Sequence, residues 1–289
     1  MDLIEYIKAI ILGIIEGITE WLPISSTGHM ILFDNLCPMN LSPEFRDVFM
    51  VVIQLGAILA VPMLFWDKLW PFTRKKGKEE KKRIISLWLK VVVGAIPAAL
   101  AGLLIDDILS DFLKNYNLFG ISAEVIVIAL TLIVYGIGFI VVENHKKDNS
   151  FSVDSVYDLT YTDALKIGAF QVLSLVPGTS RSGSTILGGM VCGVSRTASS
   201  EFSFFMAIPI MLGASALKIL KFILDGFTAS GLEIGLLATG IVVSFLVSLL
   251  AIKLLMDFVK KHDFSPFGIY RIALGVIVLG YFAVKTLTA

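Results

Sequence analysis

The chain has 289 residues, of which 56% are hydrophobic and only 17% charged, with acidic and basic side chains in equal number. Soluble domains carry about 25% charged residues, so this composition, with a mean hydropathy of +0.84, excludes an ordinary soluble enzyme and indicates an integral membrane protein. Zero net charge offers no argument for a nucleic-acid partner. The two cysteines, Cys37 and Cys192, stand far apart in apolar surroundings and read as small apolar residues rather than a disulfide.

The N-terminal run has acids before its apolar residues and no small-residue cleavage site, so the first helix is expected to stay. Residues 3–21 have a helical apolar pattern interrupted by Glu16, Glu20 and the following Pro23, and residues 27–36 give a second short apolar piece. Neither piece is a comfortable span, which takes about 20 apolar residues. A helix pair entering and leaving from one side fits better. Residues 47–66 predict a full span with Trp66 and Trp70 at its interface. A basic loop at 67–83, a span at 84–105, an acidic loop at 106–117, a span at 119–142 and a basic loop at 144–148 follow. The second half begins near Tyr161 with a short apolar stretch, the polar knot Pro177–Thr185 (PGTSRSGST) and a short piece to Val194. Spans at 200–220, 234–256 and 268–286 complete the chain, their loops carrying Asp225 and Glu233 on one side and Lys260 and Lys261 on the other.

The halves repeat. Gly13 and Glu16 align with Gly168 and Gln171, and at the same offset Ser25 meets Ser180 and Gly28 meets Gly183. Gln54 and Pro62 align with Glu201 and Pro209. Residues 1–150 and 151–289 are thus expected to form two repeats within one membrane domain. Each repeat has one broken pair and three spans. Three is odd, so the second repeat enters the membrane inverted, with the broken pairs meeting near the midplane. The predicted fold is an all-α polytopic membrane protein, an inverted-topology repeat of six transmembrane helices plus two re-entrant helix pairs. The basic loops place 67–83, 144–148 and 253–262 in the cytoplasm and both termini outside.

Two polar stretches carry the chemistry. Gly13–His29 (GIIEGITEWLPISSTGH) places Glu16, Glu20, Ser25, Ser26, Thr27 and His29 in an apolar background, where each ionisable group costs roughly 3 kcal/mol to insert. Glu16 and Glu20 share one helix face, which suggests a divalent cation held through oxygen or an acid–base group. The blander reading is a cap or a lysine pair. Ser25–His29 precedes a helix and can seat an anion on hydroxyls and N–H groups, or simply cap that helix. His29 adds a group that titrates near neutrality. In the second stretch Thr179, Ser180, Arg181, Ser182 and Gly183 form a glycine-flanked loop whose Arg181 fork suits phosphate oxygens. The simpler role for Arg181 is to neutralise Glu16 or Glu20. Gln54, Gln171 and Glu201 lie inside apolar segments; Gln54 and Glu201 occupy symmetric positions, and all three are expected to support the site by hydrogen bonds. Acids, hydroxyls, imidazole and an arginine clamp in a membrane fit phosphoryl transfer on a lipid-borne phosphate.

The motifs EGITEWLPISSTGH and PGTSRSGST, followed by EFSFFMAIP, resemble the undecaprenyl-diphosphate phosphatase (bacitracin-resistance) family, and the similarity covers essentially the whole chain. The family's paired glutamates correspond to Glu16 and Glu20, its hydroxyl run to Pro23–His29 and its arginine loop to Pro177–Thr185. The resemblance implies hydrolysis of undecaprenyl diphosphate to the monophosphate and phosphate, lipid-carrier recycling for cell-wall polymers and bacitracin resistance. It implies dependence on a divalent cation, Mg2+ or Ca2+, with Glu16 and Glu20 as metal ligands and an outward-facing site in the bacterial plasma membrane. Glu20, Ser26, His29 and Arg181 are the expected catalytic residues. Ser25, Thr27, Gly28, Thr179, Ser180, Arg181, Ser182 and Gly183 are the expected phosphate contacts. The attacking group is left open among Ser26, His29 and a metal-activated water. The expected partners are a polyprenyl diphosphate and membrane lipids, with a homodimer left open. The alternative is a lipid-phosphate flippase or transporter on the same inverted repeat. An intramembrane serine protease using Ser26 and His29 fits the two acids and Arg181 less well.

Overall fold

The computed structural model describes residues 2–118, 121–146 and 151–288. The first broken pair is α1 (Asp2–Thr19) and α2 (Ser26–Leu36). Next come α3 (Pro43–Val52) and α4 (Gln54–Leu64), which form one span interrupted at Ile53, and the short α5 (Trp66–Leu69). The long α6 (Lys78–Asn115) and α7 (Ala123–Lys146) end the first half, joined through a two-residue antiparallel ladder of Asn117–Leu118 with Ile121–Ser122. The second half has the broken pair α8 (Tyr161–Val172) and α9 (Arg181–Val191), then α10 (Arg196–Leu224), α11 (Gly231–Val259) and α12 (Ser265–Thr288). Among the described residues, six helices are long and apolar enough to cross a membrane, at 43–64, 78–105, 123–146, 196–224, 231–259 and 265–284. The outer surface displays Leu103, Leu224, Leu254 and Val284, while Glu16, Glu143 and Arg271 are fully buried. Apolar groups outside and charges inside suit a chain solvated by lipid.

Two expected loops are shorter than the charge pattern suggested. The acidic stretch 106–117 continues α6 as far as Asn115, because no Gly or Pro follows Gly102 to end it. The basic segment Lys78–Arg83 forms the first turns of the same helix, since Lys and Glu are good helix formers. Part of the basic loop expected at 144–148, and the boundary drawn between the halves at 150, fall on residues 147–150, outside the described residues.

The packing exchanges elements between the halves. α1 lies along α11, as α8 lies along α6; α4 meets α11, as α10 meets α6; α7 and α12 pair with each other. Small residues permit these approaches. A Cβ on Gly13 or Gly17 would fall within 2.9 Å of the Gly240 or Ser244 carbonyl, and one on Gly168 would fall 2.1 Å from the Gly94 carbonyl. Gly168→Ala therefore forces α8 off α6, and overpacking of this kind costs about 1–3 kcal/mol. Gly213→Ala, in open space on α10, serves as control. The expected outcome is a lowered thermal midpoint in detergent for Gly168→Ala and an unchanged or raised one for Gly213→Ala.

Candidate active site

Both broken pairs turn at a serine in the left-handed region. Ser25 has φ 77° and Ser180 φ 74°, and they are the only non-glycine residues with positive φ among those described. Such backbone costs about 1–3 kcal/mol per residue and persists only where its surroundings over-determine it. Each serine caps the helix it precedes: Ser25 Oγ accepts from Gly28 N at 3.2 Å, and Ser180 Oγ from Gly183 N at 3.0 Å. Glycine three residues on eases this cap, because a Cβ there would press on the serine side chain at 3.0–3.1 Å. The repeated Ser-x-x-Gly spacing is thus the signature of one strained cap used twice.

The two caps meet. Arg181, first residue of α9, donates from Nε and Nη2 to Glu20 Oε1 at 3.2 and 3.0 Å, and from Nη1 to the Ser203 carbonyl at 2.7 Å. Glu20 Oε2 accepts from Ser26 Oγ at 2.5 Å. Ser182 Oγ donates to the Glu20 carbonyl at 2.8 Å. Glu20, Ser25, Ser26, Thr27, Ser180 and Arg181 line a cavity of about 680 Å3. The helix N-termini of α2 and α9 converge there, a geometry that favours anions. The lining also carries Asp34 paired with Arg46, and Asp47 3.6 Å from Lys218.

Several residues expected at the site stand elsewhere. Gln54 lines the cavity, but Glu201 does not: both of its oxygens accept from Lys68 Nζ at 2.7 Å. On α10 the residues 201 and 203 point about 160° apart, so the face that brings Ser203 to Arg181 turns Glu201 away. Gln171 is buried, and neither of its amide atoms has a partner among the described residues. Thr179, Ser182, Gly28 and Gly183 shape the two caps without lining the cavity. His29 is also outside the lining, with Nδ1 2.6 Å from the Ser25 carbonyl and Nε2 2.8 Å from Tyr270 Oη. Glu16 is fully buried, and neither of its oxygens has a hydrogen-bond partner among the described residues. That orphaned carboxylate, one helical turn from Glu20, fits a hard divalent cation in its oxygen chemistry. Among the described residues no group of three or more His, Cys, Asp or Glu side chains could hold a metal, so the protein offers two carboxylates. Mg2+ is typically held by one or two carboxylates, with substrate phosphates and water completing its shell.

Sequence reasoning missed Arg271. It is fully buried on α12 and donates from Nη1 to the Pro23 carbonyl at 2.9 Å, and from Nη2 to the Gly178 and Thr179 carbonyls at 3.0 and 2.9 Å. Its guanidinium also lies 5.3 Å from the Tyr135 ring centroid. One side chain thereby ties both broken loops together. The available signal was an arginine inside an apolar span, which by itself marks a buried role. Arg271→Met leaves three carbonyls short of a donor, at about 1–3 kcal/mol for each one stranded. A clearly lowered thermal midpoint is expected, and an unchanged midpoint would contradict the pinning role.

The family described as bacitracin resistance protein BacA matches residues 9–277. A protein of Desulfitobacterium hafniense named undecaprenyl-diphosphatase is 52% identical over 288 residues, covering 99% of each chain. Proteins bearing the same name in Enterococcus faecalis and Lactiplantibacillus plantarum are 52% and 50% identical, covering 96% and 97% of this chain and 98% of their own. With the paired serine caps, the Glu20–Arg181 contact and similarity along nearly the whole length, the chain belongs to the bacitracin resistance protein BacA family.

Proposed function

We propose that this multi-pass membrane protein is a phosphatase that hydrolyses undecaprenyl diphosphate to undecaprenyl phosphate and inorganic phosphate. It is a hydrolase acting on a phosphorus-containing anhydride, and it returns the lipid carrier to cell-wall synthesis. Removal of the diphosphate that bacitracin sequesters accounts for the resistance in the family's name. The observation that carries this reading is Ser26 Oγ at 2.5 Å from Glu20, whose other oxygen is held by Arg181, in a cavity on two helix N-termini. A flippase needs no hydroxyl set on a carboxylate.

In this reading Glu20 takes the Ser26 proton as the hydroxyl oxygen attacks the terminal phosphorus, and undecaprenyl phosphate leaves as the bridging P–O bond breaks. Glu20 passes that proton to the departing undecaprenyl phosphate; ionised again, it takes a proton from the water that attacks the phosphoserine and returns it to the Ser26 oxygen as phosphate leaves. Arg181 shifts from Glu20 to the non-bridging oxygens, where charge must be stabilised. His29 is less well placed to attack, because both of its ring nitrogens are engaged away from the cavity. A divalent cation, Mg2+ or Ca2+, would be held by Glu16 and Glu20 and would neutralise phosphate charge. We also read residues 1–150 and 151–289 as the inverted repeats that place the two caps face to face, with the cavity open to the outer side of the plasma membrane.

Purified protein should release phosphate from a prenyl diphosphate without any membrane gradient, and EDTA should suppress it. Arg181→Lys keeps the charge but loses the planar fork, and the expected loss in kcat is about 10²–10³-fold. Gradient-dependent movement of lipid with no phosphate release would favour the carrier. The orientation has its own test. A cysteine at Thr228, between α10 and α11, should react with an impermeant maleimide on intact cells, and a cysteine at Lys76 should not. The reverse pattern would turn the site inward.

A further inference from the structure

His29 and Tyr270 are 241 residues apart, on α2 and α12, yet they share a 2.8 Å hydrogen bond with their rings nearly parallel at 7°. The polarity of this contact follows from its other end. His29 Nδ1 lies 2.6 Å from the Ser25 carbonyl, and a carbonyl only accepts, so Nδ1 carries the proton. In the neutral ring Nε2 must then accept, and the Tyr270 hydroxyl must donate. The Ser25 carbonyl also accepts from the His29 backbone N–H at 3.2 Å. It belongs to the peptide between Ser25, with φ 77°, and Ser26, whose Oγ meets Glu20. A strained peptide of this kind needs outside support.

We propose that Tyr270 is a positioning residue for the serine. By donating to His29 Nε2 it backs the Nδ1–H tautomer that the Ser25 carbonyl selects, and so helps Nδ1–H hold that carbonyl in the orientation that aims Ser26 at Glu20. Neither ring enters the cavity lining, so the pair acts through the backbone rather than by touching substrate. The proposal rests on the phosphatase reading and names a device within that site. Arg271, the next residue of α12, holds the same turn at the Pro23 carbonyl, so one turn of α12 grips the loop at two points.

The test uses the full-length protein in detergent with Tyr270→Phe, which keeps the ring and removes the donor. The expected result is a fall in kcat of about tenfold at unchanged KM, the upper end of what one neutral hydrogen bond contributes. Nitrogen-15 NMR of histidine-labelled protein, with the His29 signals assigned by their loss in His29→Gln, should show a single Nδ1–H tautomer in the unsubstituted protein. Tyr270→Phe should give a tautomer mixture. In a double-substitution cycle with His29→Gln the two rate effects should be less than additive. Native kcat in Tyr270→Phe overturns the proposal, as does a slowed enzyme whose His29 tautomer is unaltered or whose effects add. If the unsubstituted protein releases no phosphate, the phosphatase reading fails by itself, and the NMR comparison still decides whether Tyr270 fixes His29.

Discussion

Backbone that leaves the helix at membrane depth must find its hydrogen-bond partners inside the protein, because the hydrocarbon offers none. This chain breaks its helices twice among apolar segments, at 20–25 and at 173–180, and the breaks are satisfied largely by each other and by α12. Arg271 donates to carbonyls of both loops, Ser182 donates to the Glu20 carbonyl, and Thr131 Oγ1 donates to the Pro177 carbonyl at 2.9 Å. The buried arginine has three carbonyl partners and one aromatic face, and these offset part of the cost of removing its charge from water. The rest of the bundle holds these few groups in register.

That constraint explains why the site lies where it does. Once two broken loops are pinned together, the helix starts that follow them face the same space, and their N–H groups and serine hydroxyls have no helical partner. A cavity with a concentrated preference for anions results before any charged side chain is considered. Glu20, held by Arg181 on one oxygen and by Ser26 on the other, supplies the asymmetry that chemistry requires.

The frame is nearly symmetric and the chemistry is not. Ser25 and Ser180 share a backbone conformation and a cap, yet the residue after each differs: Ser26 in one half, Arg181 in the other. Glu16 and Gln171 are aligned, buried and without hydrogen-bond partners among the described residues, but only one can carry negative charge. The two helix breaks thus provide two similar platforms, one bearing the hydroxyl and acids and the other the arginine.

Local pattern alone determined much of this protein. Apolar runs of span length fixed the six long helices, and Glu16, Glu20 and Pro23 marked the first broken pair, because the periodicity and cost of polar groups in lipid act within one segment. The repeated Ser-x-x-Gly and the isolated Arg181 pointed to both halves of the site for the same reason. Distances across the fold were decided only by packing. Nothing near Glu201 in sequence shows that Lys68 captures it, since that depends on which face of α10 turns toward Arg181. Nothing near Arg271 or Tyr270 shows that α12 reaches Pro23 and His29, since a gap of more than 240 residues is closed only by the packing of the bundle. Sequence spacing specifies what a segment presents on each face, and only the tertiary structure specifies what meets that face.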